Sequence, residues 1–170
     1  MIPNKNIFFI RHGEATHNID FKIVGEKAYT NKLNIDSDLT QKGYTDACNL
    51  GLNSRNFFFN IFKKNNYIIL VSPLKRTIKT AFLIFSEFNI PKEKFLSLDC
   101  IKEFPCGLHT VNKRMSKKTL EFFYGNFIDF SNLKNDIDED WKDTLETEND
   151  LQIRINQLNF FLDNLKESNI

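Results

Sequence analysis

Short apolar runs without helical spacing alternate along this chain with longer stretches whose apolar residues recur every three or four positions. The runs at residues 5–10 (KNIFFI), 67–71 (YIILV) and 94–101 (KFLSLDCI) are rich in β-favouring residues, which predicts three strands. The first strand is expected to be short and buried. The continuous apolar character of residues 67–71 is typical of a parallel sheet that is covered on both faces.

Two helices are predicted between these strands. Residues 38–65 have Thr40 as a suitable N-cap. The apolar face of this helix is expected to comprise Leu50, Phe57, Ile61 and Phe62. Residues 72–88 follow the second strand, with Ser72 as the N-cap and Pro73 at the first helical position, which favours a helix start.

The pattern loosens beyond the third strand. Residues 103–116 predict a loop, residues 117–125 a short helix and residues 135–141 an acidic surface turn. A final helix is predicted over residues 146–169. Its inward-facing residues are expected to be Leu151, Ile155, Leu158 and either Phe161 or Leu162.

This order of elements indicates one α/β domain over residues 1–170, with helices on both faces of a mainly parallel sheet in a three-layer α/β/α arrangement. Ligands in such folds bind at the carboxyl ends of the strands. The two most distinctive polar segments of the chain, residues 11–18 and 72–81, both lie there.

Composition excludes several function classes. The net charge of +1 gives no electrostatic case for binding nucleic acid or an anionic membrane, and no apolar run reaches the length of a membrane span. The three cysteines, Cys48, Cys100 and Cys106, have no zinc-binding spacing, and reduced thiols in a cytoplasmic protein are expected. The sequence does not predict the oligomeric state.

The strand ends carry groups suited to phosphate. Arg11 precedes His12 and Gly13 directly after the first strand, and Arg76 lies in the first turns of the helix after the second strand. Helix N-termini attract anions, and guanidinium groups donate paired hydrogen bonds to phosphate oxygens. Gly13 would let the backbone approach a ligand, and Asn18 would add a neutral hydrogen bond.

A neutral imidazole at His12, placed among these groups, is a competent nucleophile toward phosphorus. The arginines would stabilise charge on the transferring phosphoryl oxygens, so no metal or other cofactor is required. Glu103 follows the third strand at the same sheet edge and is expected to protonate the leaving group. A nearby phosphate would raise the pKa of this carboxyl group and favour its acid form.

The segments RHGEATHN, DLTQKGYTDA, SPLKRTIKTA and IKEFPCG resemble the successive motifs of the histidine phosphatase superfamily, the phosphoglycerate-mutase-like proteins. The resemblance covers nearly the whole chain. It implies that His12 becomes transiently phosphorylated, that Arg11 and Arg76 hold the phosphate with help from Asn18, and that Glu103 is the proton donor. The implied activity is phosphatase or phosphoryl transfer on a small phosphomonoester, and hydrolysis is favoured over mutase chemistry.

The chain departs from this family in one respect. The resemblance implies a second catalytic histidine on a strand that should begin near Ile170, yet no histidine follows His109. Losing one donor of an electrostatic cradle costs roughly 10²–10³ in rate. Three readings stay open: an active enzyme, an inactive phosphate-binding or scaffold protein, and a fragment of a longer enzyme.

Several further residues are candidate substrate contacts. His17 either touches substrate or packs at the base of its loop. His109 is expected near the mouth of the pocket rather than as a replacement for the second histidine. Lys113 and Arg114 would either steer an anionic substrate or form a solvated charge pair.

Overall fold

The computed structural model describes residues 5–170, and its sheet is formed by short segments that pair in parallel. Strand β1 (Ile69–Val71) pairs with strand β2 (Phe95–Ser97), with Ile69 opposite Phe95 and Val71 opposite Ser97. Asp129 extends the sheet beyond β2 through two backbone hydrogen bonds, of 3.0 Å from Ser97 and 2.8 Å to Phe95. The predicted α/β class with parallel pairing is therefore confirmed.

On the other side of β1, the last residues of the chain enter the sheet. Asn169 forms parallel bridges with both Asn6 and Tyr67, so residues 168–170 lie between residues 6–8 and residues 67–68, which lead into β1. Backbone hydrogen bonds of 2.7–2.9 Å join the three segments.

The prediction of a buried strand over residues 5–10 is wrong in part. Only Asn6 has strand pairing, and Phe9 is 92% exposed. The physical reason is that residues 168–170 pair with only the first half of this run, so its second half has no neighbouring strand among the described residues.

Seven α-helices lie within residues 5–170, joined by loops and short 3₁₀ turns. They are α1 (Thr16–Val24), α2 (Lys27–Thr30), α3 (Gln41–Asn53), α4 (Arg55–Phe62), α5 (Lys75–Phe85), α6 (Lys117–Tyr124) and α7 (Glu148–Asn164). In this part of the chain, no helix combines the length and apolar character that crossing a membrane requires.

The single helix predicted over residues 38–65 is instead two helices. Thr40 caps α3 as predicted, because its side chain accepts a 3.0 Å hydrogen bond from the Gly43 amide. Ser54 leaves helical geometry and separates α3 from α4. This break changes the buried face, so that Phe58 enters the core while Phe57 is half exposed.

Helix α5 begins later than predicted. Its first residue is Lys75, so Ser72 is not the N-cap and Pro73 is not helical. The Asp36 carboxylate accepts a 2.7 Å hydrogen bond from the Lys75 amide and supplies the negative charge that a helix N-terminus attracts. The anion site predicted at this helix end is therefore occupied by a residue of the chain itself.

The core lies between the sheet and α3, α4 and α5, and includes a cluster of phenylalanine rings around Phe85 and Phe95. Helix α7 buries Leu162, as predicted, but its other buried residue is Arg154, and Ile155, which was expected to face inward, is 39% exposed. Arg154 is buried because it donates to the carbonyls of residues 100 and 102 and pairs with Glu146.

Candidate active site

His12 lies in the loop between residues 5–10 and α1, and its ring has one defined tautomer. Nδ1 is 2.7 Å from the Gly13 carbonyl oxygen, so this nitrogen carries the proton. Nε2 accepts a 3.2 Å hydrogen bond from Nε of Arg76, so it carries the lone pair. Burial lowers the pKa of His12 below its usual 6.5, and the positive charges of Arg76 and Arg11 lower it further. His12 is thus neutral at pH 7, with its unprotonated nitrogen facing Arg76.

Arg76 is the second residue of α5, and its side chain is completely buried. Besides the bond to His12, its guanidinium donates 2.8 Å hydrogen bonds to the Val111 carbonyl, the Asn112 side chain and the Glu103 carboxylate. A buried guanidinium is costly unless it is paired in this way. Arg76 therefore connects three parts of the site that are distant in sequence: His12, Glu103 and residues 111–112.

Glu103 lies next to both Arg76 and His12. One of its carboxylate oxygens is 2.8 Å from Arg76 and 4.0 Å from Nε2 of His12, and its side chain is 47% exposed. The carboxyl group thus lies between the buried Arg76 guanidinium and solvent, beside His12. The structure brings together His12, Arg76 and Glu103, as the sequence predicted.

The His12 loop is held against two helices. The Gly13 amide donates a 3.0 Å hydrogen bond to the hydroxyl of Thr80, which itself donates to the Arg76 carbonyl. A Cβ on Gly13 would lie 2.5 Å from the Gly43 carbonyl oxygen of α3. Close packing of backbone against α3 therefore requires glycine at residue 13, in addition to the ligand approach that we predicted.

His17 and Asn18 lie in the first turn of helix α1, shortly after the loop that carries His12. The Asn18 side chain accepts a 2.8 Å hydrogen bond from the Ala15 amide, and its amide group lies 3.0 Å from Nε2 of His17. His17 is 2% exposed, its Nδ1 has no partner, and burial lowers its pKa to about 4. The structure thus places His17 at the base of the loop, while Asn18 lies beside the cavity described next.

Arg11 differs from the other site residues because its side chain is exposed and forms no hydrogen bond within residues 5–170. It lines an open cavity of about 450 Å³ with His12, Gly13 and Asn18. Lys22 and Lys42 lie on the same cavity. Glu14 and Asp46 also line the cavity and pair with these two lysines, so Arg11 is the cation there that has no carboxylate partner within residues 5–170.

Of the remaining candidate substrate contacts, His109 lies near Glu103, whereas Lys113 and Arg114 interact with other residues of the protein. His109 stacks on Tyr29 with ring centroids 5.0 Å apart, and Glu103 is close enough to influence its pKa, which burial lowers. Lys113 instead lies over the Trp141 ring at 3.9 Å. Arg114 is 5% exposed and binds Asp99 and several backbone carbonyls, so its guanidinium is not directed at a substrate.

Sequence reasoning missed three residues that organise the site. Asn112 accepts from Arg76 and donates to the Pro105 carbonyl, which fixes the loop that carries Glu103. Thr80 anchors Gly13, and Asp36 caps α5. Of these three residues, only Thr80 could have been inferred from the sequence, because it lies one helical turn after Arg76. Asn112 and Asp36 lie in segments without a regular pattern of apolar residues.

Three carboxylates, Asp99, Asp138 and Asp140, lie within 4.8 Å of one another away from His12. The ammonium group of Lys102 lies among them and forms a hydrogen-bonded ion pair with Asp138. Arg114 compensates Asp99 from the other side. Lysine and arginine side chains therefore provide the cationic charge that this cluster needs.

Two solved structures are similar in fold. One is the putative alpha-ribazole-5'-P phosphatase of Escherichia coli, with 20% identity and a TM-score of 0.55. The other is the ecdysone phosphate phosphatase of Bombix mori in complex with tungstate, with 15% identity and a TM-score of 0.60. Each alignment covers 96% of this chain and 70% of the other.

No curated protein sequence matches the chain. The model of the histidine phosphatase superfamily (branch 1) matches residues 7–158, a span that contains every residue of the His12 site described above. The chain belongs to the histidine phosphatase superfamily.

Proposed function

We propose that this protein removes or transfers the phosphoryl group of a small phosphomonoester through a phosphohistidine on His12. The observation that carries the proposal is the pair of hydrogen bonds that fixes the His12 tautomer. Because Nδ1 donates to Gly13, the unprotonated Nε2 faces Arg76 and Glu103. A neutral nitrogen beside a buried guanidinium is what an attack on phosphorus requires.

The first step would form a bond between Nε2 and phosphorus while the bond between phosphorus and the leaving oxygen breaks. The phosphoryl oxygens would take over hydrogen bonds of Arg76 and gain those of Arg11 at the cavity. Glu103, protonated, would donate its proton to the leaving oxygen. In the second step the Glu103 carboxylate would take the proton of a water molecule or acceptor hydroxyl, whose oxygen would bond to phosphorus while the bond between phosphorus and Nε2 breaks.

One feature favours a second candidate, an inactive phosphate-binding protein. The Arg76 guanidinium already donates to Glu103, Asn112, Val111 and His12, so phosphate must displace some of these partners. A protein of this kind would bind phosphate without turnover. Such binding also needs Arg11, but it does not need a nucleophile at His12.

Hydrolysis of an aryl phosphate separates these two candidates. The proposal predicts turnover by the unaltered chain and none by His12→Ala, while both proteins remain folded. The acid limb of kcat/KM should have its midpoint below pH 6.5, because the lowered pKa keeps His12 neutral to more acidic pH. Phosphate binding without turnover in the unaltered chain would favour the inactive protein.

A further inference from the structure

Three aromatic side chains form a stack close to the His12 site. The Tyr29 ring stacks on Phe21 with ring centroids 5.2 Å apart and on His109 with centroids 5.0 Å apart, at interplanar angles of 29° and 26°. No ring contact joins Phe21 to His109 in the described part of the chain, so they lie on opposite faces of Tyr29. The imidazole of His109 therefore ends this stack, which we call the aromatic column, with a face that no other ring of residues 5–170 covers.

The aromatic column meets the site at two points. The His17 ring lies 6.1 Å from the Tyr29 ring and 6.2 Å from the His12 ring, which connects the middle of the column to His12. At the end of the column, burial lowers the pKa of His109, and the Glu103 carboxylate is close enough to oppose this change. The end of the column thus lies beside the residue that is expected to protonate the leaving group.

The turn that carries His109 is held by several contacts. The His109 carbonyl accepts hydrogen bonds of 3.0 Å from the Trp141 ring nitrogen and of 3.0 Å from the Asn112 amide. The Leu108 amide donates a 2.7 Å hydrogen bond to the Lys142 carbonyl. Leu108 has a φ of 51°, a conformation that is costly for a residue with a side chain and persists only where surrounding contacts impose it. The position of the imidazole is therefore fixed before a ligand binds.

The charged groups near His109 are acidic. Besides Glu103, the Glu26 carboxylate acts on the imidazole, but burial dominates and keeps the pKa below 6.5, so the ring is neutral at pH 7. The two basic residues of the same segment are engaged elsewhere, because Lys113 lies over an indole ring and the Arg114 guanidinium is buried in an ion pair. A second anionic group on a substrate would thus meet two carboxylates here, whereas an uncharged ring would not be repelled.

We propose that the free face of His109 binds the leaving group of the substrate, and that this leaving group contains an uncharged aromatic ring. The inference rests on the proposed function, because Glu103 marks the position of the leaving oxygen only if it is the proton donor. A phosphoryl group at Nε2 of His12, with its leaving oxygen beside Glu103, directs the rest of the substrate toward His109. The substrates are thus phosphomonoesters of phenols or arylmethyl alcohols, whose rings extend the aromatic column by one member.

Binding of two phosphonates that cannot be hydrolysed tests this subsite. Benzylphosphonate and cyclohexylmethylphosphonate have the same charge and similar size, but only the first presents an aromatic ring. Calorimetric titration of the full chain should show about three- to tenfold tighter binding of benzylphosphonate, with inorganic phosphate competing against both. Equal affinities would overturn the proposal.

A third phosphonate tests the absence of charge on the leaving group. A carboxylate in the para position of benzylphosphonate should weaken binding by about fivefold, because the added charge lies near Glu103 and Glu26. The same addition to cyclohexylmethylphosphonate is the control for a general effect of charge. Tighter binding of the carboxylated benzyl compound would overturn the uncharged class of leaving group.

Two substitutions of His109 assign the preference to its ring. His109→Leu keeps an apolar side chain but removes the ring, so the two uncharged phosphonates should bind equally. His109→Phe keeps a ring and should keep the preference. Phe122→Leu is the control, because Phe122 is 83% exposed on α6 and is not part of the column. A preference that survives in His109→Leu would overturn the assignment.

Hydrolysis separates failure of this inference from failure of the proposed function. Benzyl phosphate and cyclohexylmethyl phosphate both release primary alcohols, so a higher kcat/KM for the benzyl compound reports the subsite rather than a better leaving group. Turnover of both with equal kcat/KM would overturn the subsite and leave the proposed function standing. Preferential binding of benzylphosphonate without any turnover would support the subsite in an inactive phosphate-binding protein. Neither binding nor turnover would overturn both.

Discussion

The site around His12 has two sides that differ in burial. The buried side comprises Arg76, His17 and Thr80, each less than 5% exposed. The exposed side comprises Arg11 and Glu103, and Arg11 has no hydrogen-bond partner within residues 5–170. The contrast is clearest between the arginines, because Arg76 has four hydrogen bonds to the protein and Arg11 is available to a ligand.

This difference shows that two guanidinium groups in one site, those of Arg76 and Arg11, can contribute to it in different ways. The buried side holds the loops together and fixes the His12 tautomer, so its residues contribute to stability as well as to chemistry. On the exposed side Arg11 has no hydrogen bond within residues 5–170 to lose, and the Glu103 carboxylate, although it accepts from Arg76, is about half exposed to water. Substitutions on the buried side should therefore change folding more than those on the exposed side, which should change mainly binding or turnover.

The largest effect is expected for Arg76→Met. It leaves the Asn112 side chain and the Val111 carbonyl without their donor, and each buried polar group left unsatisfied costs about 1–3 kcal/mol. Urea unfolding should show this loss, together with loss of phosphate binding. Arg55→Met is the control, because the Arg55 side chain is 65% exposed. Equal stability of the two variants would remove the distinction between the two sides.

Glu103→Gln should reduce turnover strongly and stability little. A general acid contributes about 10²–10⁴ in rate, and an alkyl phosphate needs the proton more than a nitrophenyl phosphate does. The kcat for the alkyl phosphate, divided by the kcat for the nitrophenyl phosphate, should therefore be lower in the variant than in the unaltered protein. An equal loss with both substrates would show that Glu103 acts through Arg76 rather than as the proton donor.

His17 tests the buried side through pH. Its pKa is about 4 in the folded protein and near 6.5 when unfolded, so the unfolded state binds more protons between these values. The contribution of His17 to the free energy of unfolding is therefore complete above pH 6.5. It is lost as the pH drops toward 4, and a pKa shift of this size corresponds to a loss of roughly 3 kcal/mol.

His17→Gln keeps an acceptor for Asn18 but does not titrate, so this pH dependence should be lost. Asp36, whose pKa burial raises to about 6, acts with the opposite sign in both proteins and cancels in the difference. Urea midpoints of the two proteins, compared from pH 7 to pH 4, provide the measurement. Parallel curves would show that His17 does not lose its proton on folding.

Arg11→Ala should have the smallest effect on folding, within about 0.5 kcal/mol, because the side chain is exposed. Loss of its charge-assisted hydrogen bonds should weaken binding of phosphate or tungstate by about 10–100-fold, equivalent to about 1.5–3 kcal/mol. Calorimetric titration measures this change. Unchanged affinity would place the anion away from Arg11.

The elements that the sequence predicted best are those with strong local signals. The apolar run before Ser72 forms β1 and Thr40 caps α3, as predicted. Because parallel strands end at one sheet edge, the meeting of His12, Arg76 and Glu103 could also be predicted.

The errors arose where long-range contacts decide the structure. Asp36 caps α5 from 39 residues away, and no local pattern indicates such a partner. Residues 5–10 have the composition of a buried strand, but burial depends on a neighbour that composition does not specify. The hydrogen bonds that Arg76 donates to Val111 and Asn112 could not be predicted either, because these two residues lie in an irregular segment.

The most direct test of the central claim is detection of the phosphoenzyme. The protein is mixed with an aryl phosphate, quenched in alkali within milliseconds, where phosphohistidine survives, and digested for mass spectrometry. The account predicts one added phosphoryl group on the peptide that contains His12, formed at least as fast as turnover. Turnover without this label, or a label that persists in His12→Ala, would contradict it.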